Sequence, residues 1–177
     1  RGKEETVLPT RVLYYGKDEA LPQRVPLRAG PLTLFYEDGD LRTVQWGRHE
    51  VLRRVYVAIR DRNWGTVAPI ITNVAMDLHS DHFSITFDEA NKEGDVDFAW
   101  RGTISGSRDG VLVYEMDGIA RSTFMRSRIG FCVLHPAECA GARCRIEHVV
   151  GEHCAIPAEE GALPVLIQPF QPLSPFE

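Results

Sequence analysis

The chain is short of several things that usually announce a function early. It has 4 cysteines in 177 residues, too few for a disulfide-dependent scaffold, so a reducing, cytoplasmic setting is expected. No apolar run approaches the roughly 18 residues that suggest a membrane span. The opening Arg1-Gly2-Lys3-Glu4-Glu5 has no apolar segment behind it, so no secretory signal is expected. Lysine is scarce, 3 against 17 arginines, and the net charge is -5. That balance disfavours general nucleic-acid binding, which needs a basic surface to neutralise phosphates. There is no nucleophile elbow, phosphate loop or dinucleotide fingerprint. Nor is there a helical pattern ten residues long.

Alternation with period two is what the chain does have. Leu32, Leu34 and Tyr36 alternate into the turn Glu37-Asp38-Gly39-Asp40, and Leu41 to Trp46 returns, the strongest hairpin signal present. Glu50 to Asp61 reads as a strand with Val55, Val57 and Ile59 on one face. Val67 to Met76, His82 to Asp88, Val96 to Ile104, Val111 to Glu115 and Ile119 to Phe124 read as further strands. Glu89 to Asp95 is expected as a polar connection, Gly102 as a bulge, and Asp117-Gly118 as a turn. Arg126 to Leu134 is closed by His135-Pro136 and reads as a strand buried on both faces. Val12 to Tyr15, Arg145 to Val150 and Leu163 to Ile167 complete the set, with Gly151 to Gly161 as a loop. The expected class is all-β, an antiparallel β-sandwich, with the large galactose-mutarotase-like sandwich as an analogy of fold only. Residues 1–24 are expected to be irregular, 25–168 to form the sandwich, and 169–177 to be a proline-rich tail.

Arg60-Asp61-Arg62-Asn63-Trp64-Gly65 places two guanidinium groups, an amide and an indole at a strand end, where binding groups gather. Arg62 and Asn63 would hold ligand oxygens and Trp64 would stack on a sugar ring. A Trp folded onto the core, with the arginines paired to acids, is the alternative. Arg126 and Arg128 join the segment if both strand ends point the same way. His135, the near-neutral acid/base candidate, would join them as the weak catalytic candidate. Arginine's planar fork suits carboxylate and hydroxyl recognition; a coding bias explains the same skew. Glu115 and Asp117 read as solvated acids. Cys132, Cys139, Cys144 and Cys154 lie near His135, His148 and His153, but without paired C-x-x-C spacing, so no metal or other cofactor is expected.

Four stretches carry a family resemblance: LRAGPLT (27–33), EVLRRVYVAIRDRNWGTVAP (50–69), RIGFCVLHP (128–136) and PVLIQPFQPLSPF (164–176). They resemble the N-terminal part of the D-apionate lactonase (D-apionolactonase) family. The resemblance implies a bacterial sugar-acid catabolic hydrolase that opens a sugar lactone, and a longer chain with its catalytic acids in downstream domains. The partners it implies are a sugar lactone or sugar acid and the chain's own downstream domains, with no nucleic acid and no membrane. It assigns no catalytic residue here. A non-catalytic module that binds carbohydrate or packs against other domains is the other reading.

Overall fold

Period-two alternation becomes two facing sheets in the computed structural model, which describes residues 8–16, 18–20, 22–147 and 158–164. The first sheet contains β1 (Val25–Ala29), β2 (Leu32–Glu37), β3 (Asp40–Trp46), β4 (His49–Asp61) and β9 (Arg126–Leu134), in spatial order β1-β2-β3-β4-β9. The second contains β5 (Pro69–Leu78), β6 (Phe83–Glu93), β7 (Val96–Gly106) and β8 (Leu112–Ala120), in that order. A separate ribbon pairs β10 (Arg143–Glu147) with β11 (Ala158–Ala162). Every pairing is antiparallel. The all-β sandwich is therefore observed. No helix among the described residues is long and apolar enough to cross a membrane.

The core is the set of inward positions of both sheets. Leu27, Leu34, Tyr36, Leu41, Val44 and Ile59 meet Phe83, Ile85, Phe87, Phe98, Trp100 and Ile104. Phe87 is its hub, edge-on to Trp100 at 5.3 Å and to Tyr114 at 6.5 Å between ring centroids. Each such pair adds about 0.5–1.5 kcal/mol beyond area burial. The Asp38-Gly39 turn follows the expected chemistry: both residues have positive φ, 45° and 84°, as a two-residue hairpin with the right-handed strand twist requires.

Several local expectations are corrected. Val12 to Tyr15 is not a strand but part of a short helix, α1 (Thr10–Tyr15), ended by Gly16 at φ 72° with its N–H on the Val12 carbonyl. Gly102 is no bulge, because its register with Phe87 is regular. A Cβ there would run into the Phe87 ring, so glycine makes room for the hub. Asp117-Gly118 is no turn either; β8 runs through it, paired residue by residue with β7. The polar stretch after Asp88 continues β6 to Glu93. Ala158 to Gly161, read as part of a loop, belong to β11 (Ala158–Ala162), held across the ribbon by Arg143 and Arg145 on Glu160. Residues 148–150 and 165–177 lie outside the described residues.

β9 is also not buried on both faces. It pairs with β4 alone among the described strands. Ile129, Phe131 and Val133 pair with Ile59, Val57 and Val55 and so share the core-facing side. Yet Phe131 is 41% and Val133 48% exposed, although Tyr114 of the second sheet lies edge-on to Phe131 at 4.9 Å. The core-facing side of the first sheet therefore overhangs its cover.

Candidate functional site

β4 is longer than the hairpin it pairs with, and that mismatch makes a notch. It pairs with β3 from His49 to Val55 and with β9 from Arg54 to Asp61. On the hairpin side, Tyr56, Val57 and Ala58 have no strand partner among the described residues. The chain returns to that edge only beyond them, where Arg60 bridges Thr66 and the Val67 N–H donates to the Ile59 carbonyl at 3.1 Å. Between the hairpin tip and this return lies a cavity of about 410 Å³, lined on the second-sheet side by Glu89, Asn91, Trp100 and Tyr114. Because the notch opens at the strand's edge, residues from both faces of β4 line it.

The walls are polar and unevenly satisfied. Asp40 accepts an ion pair from Arg54 at 2.6 Å, and that guanidinium lies 4.0 Å from the Tyr56 ring centroid. Arg42 reaches Glu37 at 3.2 Å and Asp40 at 3.8 Å. Tyr114 Oη donates to the Gly39 carbonyl at 2.5 Å, tying β8 to the hairpin tip. Asn91 Nδ2 donates to Glu89 Oε1 at 3.0 Å and to the Val67 carbonyl at 3.3 Å. Asn91 Oδ1 has no partner among the described residues, although Asn91 is 2% exposed. The Trp100 indole N–H is close enough to the Glu89 carboxyl to favour its charge, but lacks the alignment of a hydrogen bond. Burial pushes Asp40 up to about 6 against the pull of Arg54 and Arg42. Burial also raises Glu89, outweighing the Asn91 and Trp100 N–H groups. Tyr114 is raised too, first by burial and then by the nearby Glu89 and Asp40 charges.

The residues singled out from sequence divide into three places. Arg60 lines the cavity, with Nη1 donating to Thr66 Oγ1. Arg62, Asn63 and Trp64 form an exposed loop beside it, organised by Asp61. Asp61 Oδ1 accepts from the Asn63 N–H at 2.8 Å and the Gly65 N–H at 2.7 Å. A Cβ on Gly65 would come within 2.8 Å of that carboxylate, and Trp64 sits at φ 66°. Arg128 is Arg60's cross-strand partner, and its Nη1 donates to Cys132 Sγ at 3.3 Å. Arg126 pairs with Asp61, so the loop and the start of β9 are together. His135 is not with them. It is exposed just past Leu134, at the opposite end of β9, about 20 Å from Arg128 at the rise of an extended strand.

Glu115 and Asp117 are exposed on the outward face of β8, in mid-strand. Cys132, Cys139 and Cys144 are free thiols. No group of three or more metal-ligating side chains occurs among the described residues; Cys154, His148 and His153 lie outside them. Asp40, Glu89, Asn91 and Trp100 are the cavity residues that sequence reading missed. The signal was available: Phe83, Ile85, Phe87, Glu89 and Asn91 are one unbroken set of inward positions. Two polar residues continuing an inward alternation mark a strand that enters a polar site.

A sequence profile described as D-apionate lactonase, N-terminal domain, matches residues 12–177. The chain belongs to that family. A D-apionate lactonase from Brucella anthropi is 35% identical over 163 residues, covering 90% of this family member and 26% of that relative. The chain thus spans about a quarter of the relative's length. No solved structure matches. The RDRNWGT loop and the RIGFCVLHP strand, which carried the resemblance in sequence, meet in the family member at the Arg60–Arg128 pair.

Proposed function

We propose that the chain serves as a non-reacting N-terminal domain of a sugar-lactone hydrolase, acting on a sugar lactone or sugar acid in carbohydrate catabolism. Its reacting groups would lie in polypeptide that this chain does not span. The observation that carries the reading is the overhang of β9. Phe131 and Val133 face the core side but remain about half exposed, an apolar surface of the kind that another domain covers. The B. anthropi relative has nearly three quarters of its length outside the matched region, which supplies the natural occupant. Family membership supports the lactone chemistry.

The dispersal of the sequence candidates points the same way. A hydrolytic site needs a nucleophile or base within hydrogen-bond reach of its partner, and His135 stands a strand length from the arginine loop. Arg62, Asn63 and Trp64 remain a proposed ligand-contacting loop beside the cavity. The test is lactone hydrolysis by the isolated 177 residues, for which the expected rate is the uncatalysed one; turnover by the chain alone would overturn the reading.

A further inference from the structure

The inward side chains of β8 shrink along the strand, and the space they leave is only partly refilled. Leu112, Tyr114 and Met116 pack against the core, but the same side continues as Gly118 and Ala120, opposite Trp100 and Phe98 of β7. Phe98 leans into the gap, since a Cβ on Gly118 would run into its ring. Past that ring, between Ala120 on one sheet and Ile129 of β9 on the other, lies another cavity of about 410 Å³. Phe124, from the connection that crosses between the sheets, adds a further apolar wall. The volume is within the range of about 300–1,000 Å³ typical of small-molecule sites. This cavity is on the β9 side of β4, and it shares no lining residue with the notch.

The rim supplies one charge. Arg126 lines the cavity, and its guanidinium makes no hydrogen bond or ion pair among the described residues. Two acids on nearby strands are engaged elsewhere. Asp61, across from Arg126, holds the Asn63 and Gly65 N–H groups, and Asp97 pairs with Lys92 at 3.0 Å. Ser122 and Thr123 add hydroxyls to the lining, Ser122 Oγ already donating to the Asp95 carbonyl at 2.7 Å. A polyol would turn hydroxyls toward Phe98, Phe124 and Ile129, which can answer none of them. A cation would meet Arg126. An apolar body suits the walls, and the guanidinium fork suits a carboxylate, whose single charge it balances.

We infer that this cavity is a binding site for a small monocarboxylate with an apolar body, its carboxylate received by Arg126. Such a site goes beyond the hydrolase reading and does not depend on it, because sugar lactones and sugar acids lack the apolar body. Binding, not turnover, decides it. Arg126 is exposed, so its ion pair adds the selectivity of a surface pair, about threefold to fivefold. Burial of the apolar body supplies most of the affinity.

The experiment is a ligand-observed ¹⁹F NMR titration of the 177-residue chain at about pH 7, where carboxylates are ionised. The probes are para-fluorophenylacetate and the neutral para-fluorophenethyl alcohol, with sodium D-xylonate as competitor. The arylacetate resonance is expected to broaden saturably, with a dissociation constant on the order of 1 mM. The alcohol is expected to bind about fivefold more weakly, and xylonate not to displace the arylacetate. Arg126→Gln is expected to erase the difference between acid and alcohol. Ala120→Leu, at an exposed position that fills the cavity, is expected to weaken both probes about tenfold. If that variant does not fold, the acid-against-alcohol comparison in wild type and Arg126→Gln decides. Any one of four results would overturn the site: no saturable broadening, an alcohol bound as tightly as the acid, displacement by xylonate, or undiminished binding by Ala120→Leu.

Discussion

Asp40→Asn should make the protein more stable at neutral pH, although it removes one half of an ion pair. Asp40 meets Arg54 at 2.6 Å with its side chain only 15% exposed, and burial still wins, raising the carboxyl from 3.8 to about 6. The folded state therefore holds this proton more tightly than the unfolded chain. Its stabilising effect is complete below about pH 4 and is lost as pH rises through about 6. The shift is roughly 2 units, so at about 1.4 kcal/mol per unit the loss is about 3 kcal/mol. Asparagine stays neutral throughout and can still accept from Arg54. Urea unfolding of both proteins across this range is expected to give similar stabilities near pH 4 and a gap opening to about 3 kcal/mol by pH 7, in favour of the variant. Exposed acids such as Asp81 and Glu160, held low by their basic partners, titrate in both proteins and cancel in the difference. Parallel pH profiles, or a gap opening in the wild type's favour, would refute the argument that burial outweighs the pair.

Tyr36→Phe deletes a buried hydroxyl that lies near the Gly39 backbone N–H without the alignment of a good hydrogen bond; it should raise stability by about 1 kcal/mol, seen as a higher melting temperature. A fall would mean the hydroxyl has a partner. Asp61→Ala removes the acceptor of two loop N–H groups and should loosen the Arg62–Trp64 loop by about 1.4 kcal/mol. Tryptic cleavage after Arg62 under native conditions should then speed up about tenfold, with global unfolding changed much less.

The strands were legible because burial on one face imposes alternation, as in Leu34-Phe35-Tyr36 or Phe83 to Phe87. What escaped was alternation carried by the wrong residue types. Glu89 and Asn91 keep the inward period but are polar, so they read as a connection, and the cavity floor disappeared with them. β9 misled in the opposite direction: apolar on both faces, it read as doubly buried, yet it lies at the edge of its sheet with Phe131 and Val133 uncovered. Apolar sequence reports what must be covered, not whether this stretch of chain supplies the cover. Asp117-Gly118 looked like a turn because local propensity cannot see the β7 partner that holds it extended. The RDRNWGT loop was found as a feature, but its organiser is Asp61, whereas the arginines and the indole had drawn notice. The notch itself arises from a length mismatch between β4 and the β2–β3 hairpin, a property of pairing that no single segment displays.

The most direct measurement is proton release at constant pH from a five-carbon sugar lactone, with the 177-residue chain compared against a polypeptide extended to the relative's full length. Background hydrolysis is expected from the short chain and catalysed hydrolysis from the long one. Saturable turnover by the short chain, removed by a substitution within it, would contradict the claim that this domain binds and docks while the reaction occurs elsewhere.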